Sequence, residues 1–364
     1  MANIFFICYP PGPPEKAGYE HQAICLAEGL TELGCSINSN FNVWQKDVNS
    51  NNYLLSASSE PESYRDCDIV LFTSTLFNYE RLDLLPADLY NKKRKYKLVL
   101  LDDSDGPVTP GYRTEIIQNV DLVLKSHYTT FFRYPKNFYP WQFGLSNRII
   151  NAVEPVKYSE REKQILVNFR VKHGIRDIAS KKILPIIYKK FLPNTEVDLF
   201  PDINTMNEQD KLYWQQTGRR HYPYYYERLS NTMACACFGG EIYNDNNISL
   251  TRKIIKKFYK GSAFNSSSKI YQFDSWRFWE ALVAGCCVFH IDIKRYGAVL
   301  PINPVNGKHY IGVNLLNPNQ LNKIMKESYS YFEDIGSYGR EWALNYYTPK
   351  KMAERFLELV NAHH

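Results

Sequence analysis

An arginine and a glutamate stand three residues apart in the otherwise apolar stretch "DSWRFWEALVAG", residues 274–285. The pattern predicts a short helix that begins at Asp274 or Ser275 and stops at the final glycine. A helix N-terminus that faces a cleft binds anions, because its free N–H groups and its dipole favour negative charge. Arg277 could add a forked contact to a phosphate, and Glu280 could accept hydrogen bonds from a ribose diol. The alternative is a surface ion pair between Arg277 and Glu280.

A basic stretch, "VNFRVKHGIR" at residues 167–176, follows the first predicted strand of the second half of the chain. It offers four cations at the carboxyl end of that strand: Arg170, Lys172, His173 and Arg176. Fixed cations at such a place could stabilise a diphosphate as its bond to a sugar breaks. The alternative is an ordinary solvated loop.

Carboxylates and a histidine mark the first half of the chain. In "LLDDSDG" (residues 100–106), Asp103 and Asp105 have the spacing of a D-x-D metal site, or Asp105 could be a general base. Glu20 begins the first predicted helix, and His127 follows a predicted strand. Asp105, Glu20 and His127 are therefore the three candidates for a catalytic base, although each could also be a structural residue. The two-lobe pattern described next argues against the metal site, so we expect no metal cofactor.

Short apolar runs alternate with helical patterns along the chain, which predicts parallel sheets covered by helices. The predicted strands are "NIFFICY", "DIVLFTS", "KLVLLDD" and "VDLVLKS" in the first half, and "QILVNF", "EVDLF", "MACACF" and "CVFHI" in the second. Residues 135–162 look like an interdomain linker, being rich in proline, asparagine and charge. The predicted fold is α/β, with two Rossmann-like βαβ lobes that face a cleft. The predicted boundaries are 1–150, 151–345, and a C-terminal helix at 346–364 that could pack on the first lobe.

The stretches "YYYERLSNTMACACFGGE" and "YQFDSWRFWEALVAGCCVFHID" resemble the C-terminal half of the two-Rossmann (GT-B) glycosyltransferases, notably the exostosin-like and group 1-like branches. The shared pattern is S-x-R-x-x-E-A-L-x-A-G-C after a strand and a glycine loop. The resemblance implies that the second lobe binds a nucleotide-sugar donor, with Glu280 on the ribose and cations near the diphosphate. The implied donor-binding residues are Arg170, Lys172, Gly239, Gly240, Ser275, Arg277 and Glu280. Many retaining members carry a further glutamate eight positions before Glu280, where this chain has Gln272.

Composition limits the remaining possibilities. The net charge of +6 suits an anionic ligand or a membrane surface, but not a nucleic-acid-binding arm. The eight cysteines lack metal-ligand spacing and fit a reduced, cytoplasmic protein. The start of the chain does not have the pattern of a signal peptide, and no apolar run is long enough to span a membrane. A basic amphipathic segment at residues 251–264 could contact a membrane peripherally.

These patterns together predict a glycosyltransferase that moves a sugar from a nucleotide-diphosphate sugar to a hydroxyl of a glycan or lipid-linked acceptor. The alternative is a catalytically silent nucleotide-sugar- or glycan-binding protein on the same scaffold. An identifiable base in the first lobe would separate the two.

Overall fold

The computed structural model describes residues 2–10, 20–60, 63–109, 115–171, 174–195, 203–240, 242–244 and 268–362. Several predicted features lie outside these ranges: Lys172 and His173 of the basic stretch, the strand "EVDLF" at 196–200 and the basic segment at 251–264.

The N-terminal lobe is built on a parallel sheet. Its strands, and an adjoining ribbon, are β1 (Asn3–Ile7), β2 (Ser36–Ser39), β3 (Val43–Gln45), β4 (Tyr53–Leu55), β5 (Ile69–Thr73), β6 (Lys97–Asp102), β7 (Leu122–Lys125) and β8 (Phe138–Pro140). Within the described residues six of them form one sheet in the order β2-β1-β5-β6-β7-β8, with every pairing parallel. The four strands predicted in this half are confirmed as β1, β5, β6 and β7. Strands β3 and β4 pair with each other in antiparallel fashion.

Helices cover both faces of this sheet: α1 (His21–Glu32), α2 (Thr75–Asn78) and α3 (Glu115–Gln118). Helix α4 (Asn147–Ala152) follows the last strand of the sheet and packs in the apolar cluster of the C-terminal lobe. The central strands are buried along their whole length, as all five residues of Ile69–Thr73 show. Continuous apolar strands need cover on both faces, and separate apolar clusters lie on the two sides of the sheet. Helix α1 ends just before Gly34, which has the positive φ of 79° that glycine readily adopts.

The C-terminal lobe repeats the plan. Its strands are β9 (Glu162–Leu166), β10 (Leu192–Asn194), β11 (Thr232–Ala236), β12 (Ile242–Asn244), β13 (Ser268–Ile270), β14 (Cys287–Ile291) and β15 (Ile311–Val313). Five of them form a parallel sheet, in the order β10-β9-β11-β14-β15, within the described part of the lobe. Strands β12 and β13 form a separate antiparallel pair. The predicted α/β architecture of two Rossmann-like lobes is confirmed.

The remaining helices are α5 (Gly174–Ile178), α6 (Leu184–Ile187), α7 (Glu208–Gln216), α8 (Pro223–Asn231), α9 (Trp276–Val283), α10 (Leu321–Ile324), α11 (Tyr329–Tyr347) and α12 (Pro349–Asn361). A π-helical turn at Ala179–Ile183 joins α5 to α6, and Pro185 stands at the start of α6. Proline is tolerated at the start of α6 because the amide it lacks has no partner in a first helical turn.

The segment 135–162 is more than a linker. Residues Phe138–Pro140 add an edge strand to the N-terminal sheet, and Asn147–Ala152 form a helix whose first amide donates to Glu28 of α1 at 2.7 Å. Short strands and helices of this kind have too few residues for a clear periodic pattern.

Helix α12 returns to the N-terminal lobe. Its buried residues Met352, Phe356 and Val360 belong to the same apolar cluster as α1 and β1. The two helices touch at Gly29, where an added Cβ would lie 1.9 Å from the carbonyl oxygen of Pro349. Only glycine permits so close an approach of two helix backbones.

All eight cysteines lie in the described ranges; none forms a disulfide, and six are buried. Among the helices of the described ranges, none combines the length and the apolar composition that crossing a bilayer requires.

Candidate functional site

The two lobes meet where strand β7 of the first lobe faces the segment that precedes α9 in the second. His127, fully buried just after β7, accepts hydrogen bonds at Nδ1 from the backbone amides of Phe273 (3.3 Å) and Asp274 (3.2 Å). Because Nδ1 accepts, the ring proton belongs on Nε2. His127 also has a positive φ of 53°, an uncommon conformation for a residue with a side chain. Its geometry is that of a residue which joins the lobes.

Asp105 lies beside this junction with its side chain 62% exposed. Its Oδ1 accepts a hydrogen bond of 2.5 Å from Nε2 of Gln272 and lies 3.5 Å from Nε2 of His127. Partial burial opposes ionisation, but His127 and Gln272 outweigh it and hold the pKa of Asp105 below its usual value. Asp105 is thus an ionised carboxylate that solvent, and therefore a ligand, can reach.

Two glycines allow the close approach of the lobes and loops here. A Cβ on Gly239 would lie 2.6 Å from the carbonyl oxygen of Gln272, and one on Gly106 would lie 2.7 Å from the ring of Tyr271. Gly106 also has a φ of 93°. Glycine at these positions lets the Tyr271–Gln272 backbone pass between a loop of each lobe.

Helix α9 begins at this junction. Ser275 is its N-cap by backbone conformation, although its hydroxyl makes no capping bond, and Gly285 ends it with a φ of 71°. Asp274 instead accepts hydrogen bonds of 2.7 Å from the amide of Phe143 and from the indole of Trp279. Burial raises the pKa of Asp274 to about 6. The predicted helix is confirmed, and its start is fixed between the two lobes.

Two guanidinium groups lie beside the ring of Phe169, which is in the loop that follows β9. The guanidinium carbon of Arg176 is 5.7 Å from the ring centroid and that of Arg277 is 5.9 Å from it. Nε of Arg176 donates to the carbonyl of Phe238, whereas Nε of Arg277 is buried and lacks a hydrogen-bond partner among the described residues. Burial and the charge of Arg277 lower the pKa of Arg176 to about 10.

Guanidinium groups stay protonated in proteins, and the charge of Arg277 acts on Arg176, so two like charges are held close together. Neither forms a carboxylate ion pair within the described part of the chain, although the charge of Asp105 favours the ionised form of Arg176. An anion bound between them would remove the repulsion and supply the missing acceptors.

Glu280 is buried, and tyrosine hydroxyls are its hydrogen-bond partners. Its two oxygens accept hydrogen bonds from the hydroxyls of Tyr225 (3.1 Å) and Tyr226 (2.9 Å), and Tyr226 accepts one of 2.6 Å from Arg148. The side chain is 6% exposed. Arg277 and Glu280, which both lie in the described ranges, do not form an ion pair with each other. The alternative prediction of a surface ion pair between them is therefore wrong.

Glu20 is enclosed, with 1% of its surface exposed. One carboxylate oxygen accepts hydrogen bonds from the amide of Tyr9 (3.1 Å) and the hydroxyls of Thr73 (3.3 Å) and Thr75 (2.8 Å). The other has no partner in the described ranges. Burial, and secondarily the charge of Asp103, raises the pKa of Glu20 to about 7.

The three carboxylates of "DDSD" have three different surroundings. Asp102 is buried with Lys125, at 3.2 Å between Oδ2 and Nζ. Asp103 accepts a hydrogen bond from Ser74, and burial raises its pKa to about 6. Asp105 faces Gln272. Within the described residues no group of three or more metal-ligating side chains converges on one point.

Neither a protein-family model nor a curated protein matches the chain in sequence. Solved structures do match it in shape. An α-glucosyltransferase in complex with UDP and a 13-mer DNA containing a central A:G mismatch superposes with a TM-score of 0.54 at 11% identity, over 99% of this chain and 100% of that one. A glycosyltransferase from Rickettsia africae ESF-5 gives 0.53 at 14% identity, over 100% of this chain and 98% of that one.

The fold is the GT-B fold. In open parallel sheets, ligands bind at the carboxyl ends of the strands, and in a GT-B protein two such edges face one cleft. Phe169, Gly239 and Asp105 all follow strands at that edge, on β9, β11 and β6.

The GT-B cleft brings some of the predicted site residues together and not others. Ser275 and Arg277 lie at the start of α9, which closely follows Gln272, the residue that contacts Asp105. Gly239 packs against Gln272, and the carbonyl of Gly240 accepts a hydrogen bond of 3.4 Å from Ile175. Arg170, in the loop that follows β9, is exposed.

Three residues of the cleft are given no role by the sequence prediction. Phe169 is not named in it, Arg176 is named only as one of four cations, and Gln272 only as a departure from the family pattern. Arg176 belongs to the basic stretch, but only the contact with Phe169 distinguishes it from the other cations there.

Proposed function

We propose that the protein is a glycosyltransferase that moves a sugar from a nucleotide-diphosphate sugar to a hydroxyl of a glycan or lipid-linked acceptor. The observation that carries the proposal is the pair of arginines, Arg176 and Arg277, held on one aromatic ring at the cleft without a carboxylate partner among the described residues. A diphosphate is the anion whose size and charge suit two adjacent guanidinium groups. The GT-B fold of the chain supports a nucleotide-sugar as its source.

The donor would lie at the start of α9. Arg277 and the N-terminal end of the helix would bind one phosphate, and Arg176 would bind the other and offset the charge that develops on the leaving diphosphate. Ser275, whose hydroxyl is buried and has no partner in the described structure, could donate to the same group. Glu280 could reach a ribose hydroxyl only with the lone pairs that Tyr225 and Tyr226 leave free.

Asp105 is the favoured base, if the reaction inverts the sugar. It is ionised and accessible, whereas Glu20 is enclosed and the Nδ1 atom of His127 is occupied by backbone amides. A general base must reach the proton that it takes. Glu20 and His127 are better placed to support the loops around Asp105 than to act on a substrate.

We propose that the reaction needs no divalent cation. The carboxylates of "DDSD" are engaged separately by Lys125, Ser74 and Gln272, while the two arginines supply positive charge where a metal otherwise would. Activity that survives EDTA would support this, and activity restored only by Mg²⁺ or Mn²⁺ would refute it.

The acceptor is proposed to be uncharged near its reacting hydroxyl. One solved structure similar in fold is a glucosyltransferase in complex with DNA. In this chain, however, Asp103 and Asp105 lie on the acceptor side, and carboxylates repel a phosphodiester backbone.

The test is nucleotide binding followed by donor cleavage. A panel of UDP, GDP, CMP, CDP and ADP is titrated by calorimetry, and the corresponding nucleotide-sugars are assayed for release of the nucleotide. Arg277→Gln and Arg176→Gln should each weaken binding of the preferred nucleoside diphosphate by about tenfold to a hundredfold, since each removes a charge-assisted contact worth about 1.5–3 kcal/mol.

Lys181→Gln is the matched control, because it removes one positive charge from the turn that follows Arg176 and its side chain is 70% exposed. It should bind nucleotide like the wild type. Binding of no nucleotide by the wild-type protein would refute the proposal. Binding with no cleavage or transfer under any donor would favour the silent binding protein instead.

A further inference from the structure

The side chain of Gln272 reaches across the cleft to the proposed base. It lies between β13 and α9 of the C-terminal lobe, and its Nε2 donates to Oδ1 of Asp105, on the loop after β6 of the N-terminal lobe, at 2.5 Å. An amide is a neutral donor, so this contact adds direction without adding charge.

The backbone around Gln272 is held independently of its side chain. Its carbonyl passes over Gly239, and the next two amides, of Phe273 and Asp274, donate to His127. The lobes are also joined elsewhere, since the amide of Thr130 donates to Gly297 at 2.8 Å. The amide group of Gln272 is therefore not required for the lobes to dock, and its contact with Asp105 needs another explanation.

The titratable groups that face Asp105, or act on a neighbour that does, come from four elements. His127 and Lys125 belong to β7 and the turn after it, Arg176 belongs to α5, and Asp274 precedes α9 and acts on His127. Except for Asp274, these groups favour the ionised carboxylate. A hydrogen bond from Gln272 to Oδ1 also favours the ionised form and fixes which way the carboxylate faces, while the side chain stays 62% exposed.

We propose that Gln272 is the positioning residue of the Asp105 base: its amide holds one carboxylate oxygen so that the other faces the cleft and takes the proton of the attacking hydroxyl. In the transfer the acceptor oxygen forms the new bond to the sugar, its proton passes to Asp105, and the bond to the nucleoside diphosphate breaks. The inference rests on the proposed function, because only such a transfer requires a base at this place.

Gln272→Glu and Gln272→Met separate positioning from mere packing. Glutamate has the same length as glutamine, so Gln272→Glu would place a second carboxylate beside Asp105, and the two groups would share one proton. This sharing would raise the pKa of Asp105, so the acid limb of the plot of kcat against pH should move to higher pH by about one unit. Donor hydrolysis, assayed with UDP-glucose or the donor that the panel selects, should be up to tenfold slower than wild type on the acid limb, below about pH 5, and should approach the wild-type rate by about pH 7. Methionine, which cannot donate, should move the limb in the same direction by less. The KM for the donor should change less than threefold in both variants.

Stability gives a readout that needs no donor. If the contact exists, Gln272→Glu should lose thermal stability relative to Gln272→Met as the pH rises from 4 to 8, because both carboxylates then ionise. Circular dichroism and nucleotide affinity show whether each variant is folded.

Wild-type pH profiles in both variants would overturn the positioning role, whatever the stability data show. A flat stability difference between the variants would overturn the contact itself. The wild-type protein could instead cleave no donor while the stability difference between the variants appears as expected. In that case the contact is real, but the proposed function is wrong, and the positioning role fails with it.

Discussion

Glu20 offers a direct measurement of how strongly the fold encloses one carboxyl group. Its Oε1 accepts all three recorded hydrogen bonds, and Oε2 has none within the described structure. The substitution Glu20→Gln keeps the accepting oxygen and places an amide where the protonated form carries its hydroxyl. The variant therefore resembles the neutral state of the side chain, and its stability should lack the pH dependence that Glu20 contributes.

The sign and size follow from burial. The pKa of Glu20 rises from 4.5 to about 7 on folding, so the folded protein keeps the proton that the unfolded chain loses. Stability from this group is complete below pH 4.5 and is lost as the pH rises through 7. Each factor of ten in the ionisation constant is worth about 1.4 kcal/mol, so Glu20→Gln should gain roughly 2–3 kcal/mol relative to wild type between pH 5 and pH 9.

Urea unfolding of both proteins at several pH values measures this gain. The control is Glu32→Gln on the same helix, whose side chain is 51% exposed; its stability relative to wild type should change by less than about 0.5 kcal/mol over the range. A Glu20→Gln difference that is equally flat would mean that the carboxyl group is solvated in solution, and the argument from burial would be refuted.

Two further substitutions probe buried polar pairs. Lys125→Met leaves Asp102 buried without its partner and should cost about 3–5 kcal/mol in urea unfolding, while adding Asp102→Asn should recover part of the loss because the unpaired charge is gone. Tyr226→Phe removes the hydroxyl between Arg148 and Glu280 and should lower the free energy of unfolding by about 1–3 kcal/mol. Nucleotide affinity should fall as well if Glu280 orients α9. Unchanged stability would show that the network is solvated.

The sequence was sufficient for the fold because its central strands are long and continuously apolar. The strands at β1, β5, β6, β7, β11 and β14 are all visible as runs of buried residues. Strands of three residues, such as Phe138–Pro140 and Ile311–Val313, carry too little pattern to be found this way. The edge strand β8 was accordingly assigned to a linker.

The site was predicted less completely, since its geometry depends on contacts between distant residues. The start of α9 and the place of Arg277 follow from local capping and spacing. No local sequence pattern shows that the carboxylate of Asp105 is accessible and that of Glu20 is not. Accessibility depends on which neighbours in the fold enclose each side chain. Gln272 and Asp105 are 167 positions apart, and only the folded chain brings them together.

Helix α12 has a consequence for the order of synthesis. The N-terminal lobe leaves the ribosome first, yet Met352, Phe356 and Val360 supply part of the apolar cluster that covers its sheet. Until those residues emerge, α1 exposes the face around Gly29 that will later receive Pro349. The apolar cluster of the first lobe is therefore completed only after α12 has been made, and until then its uncovered face is a surface through which the nascent chain can aggregate.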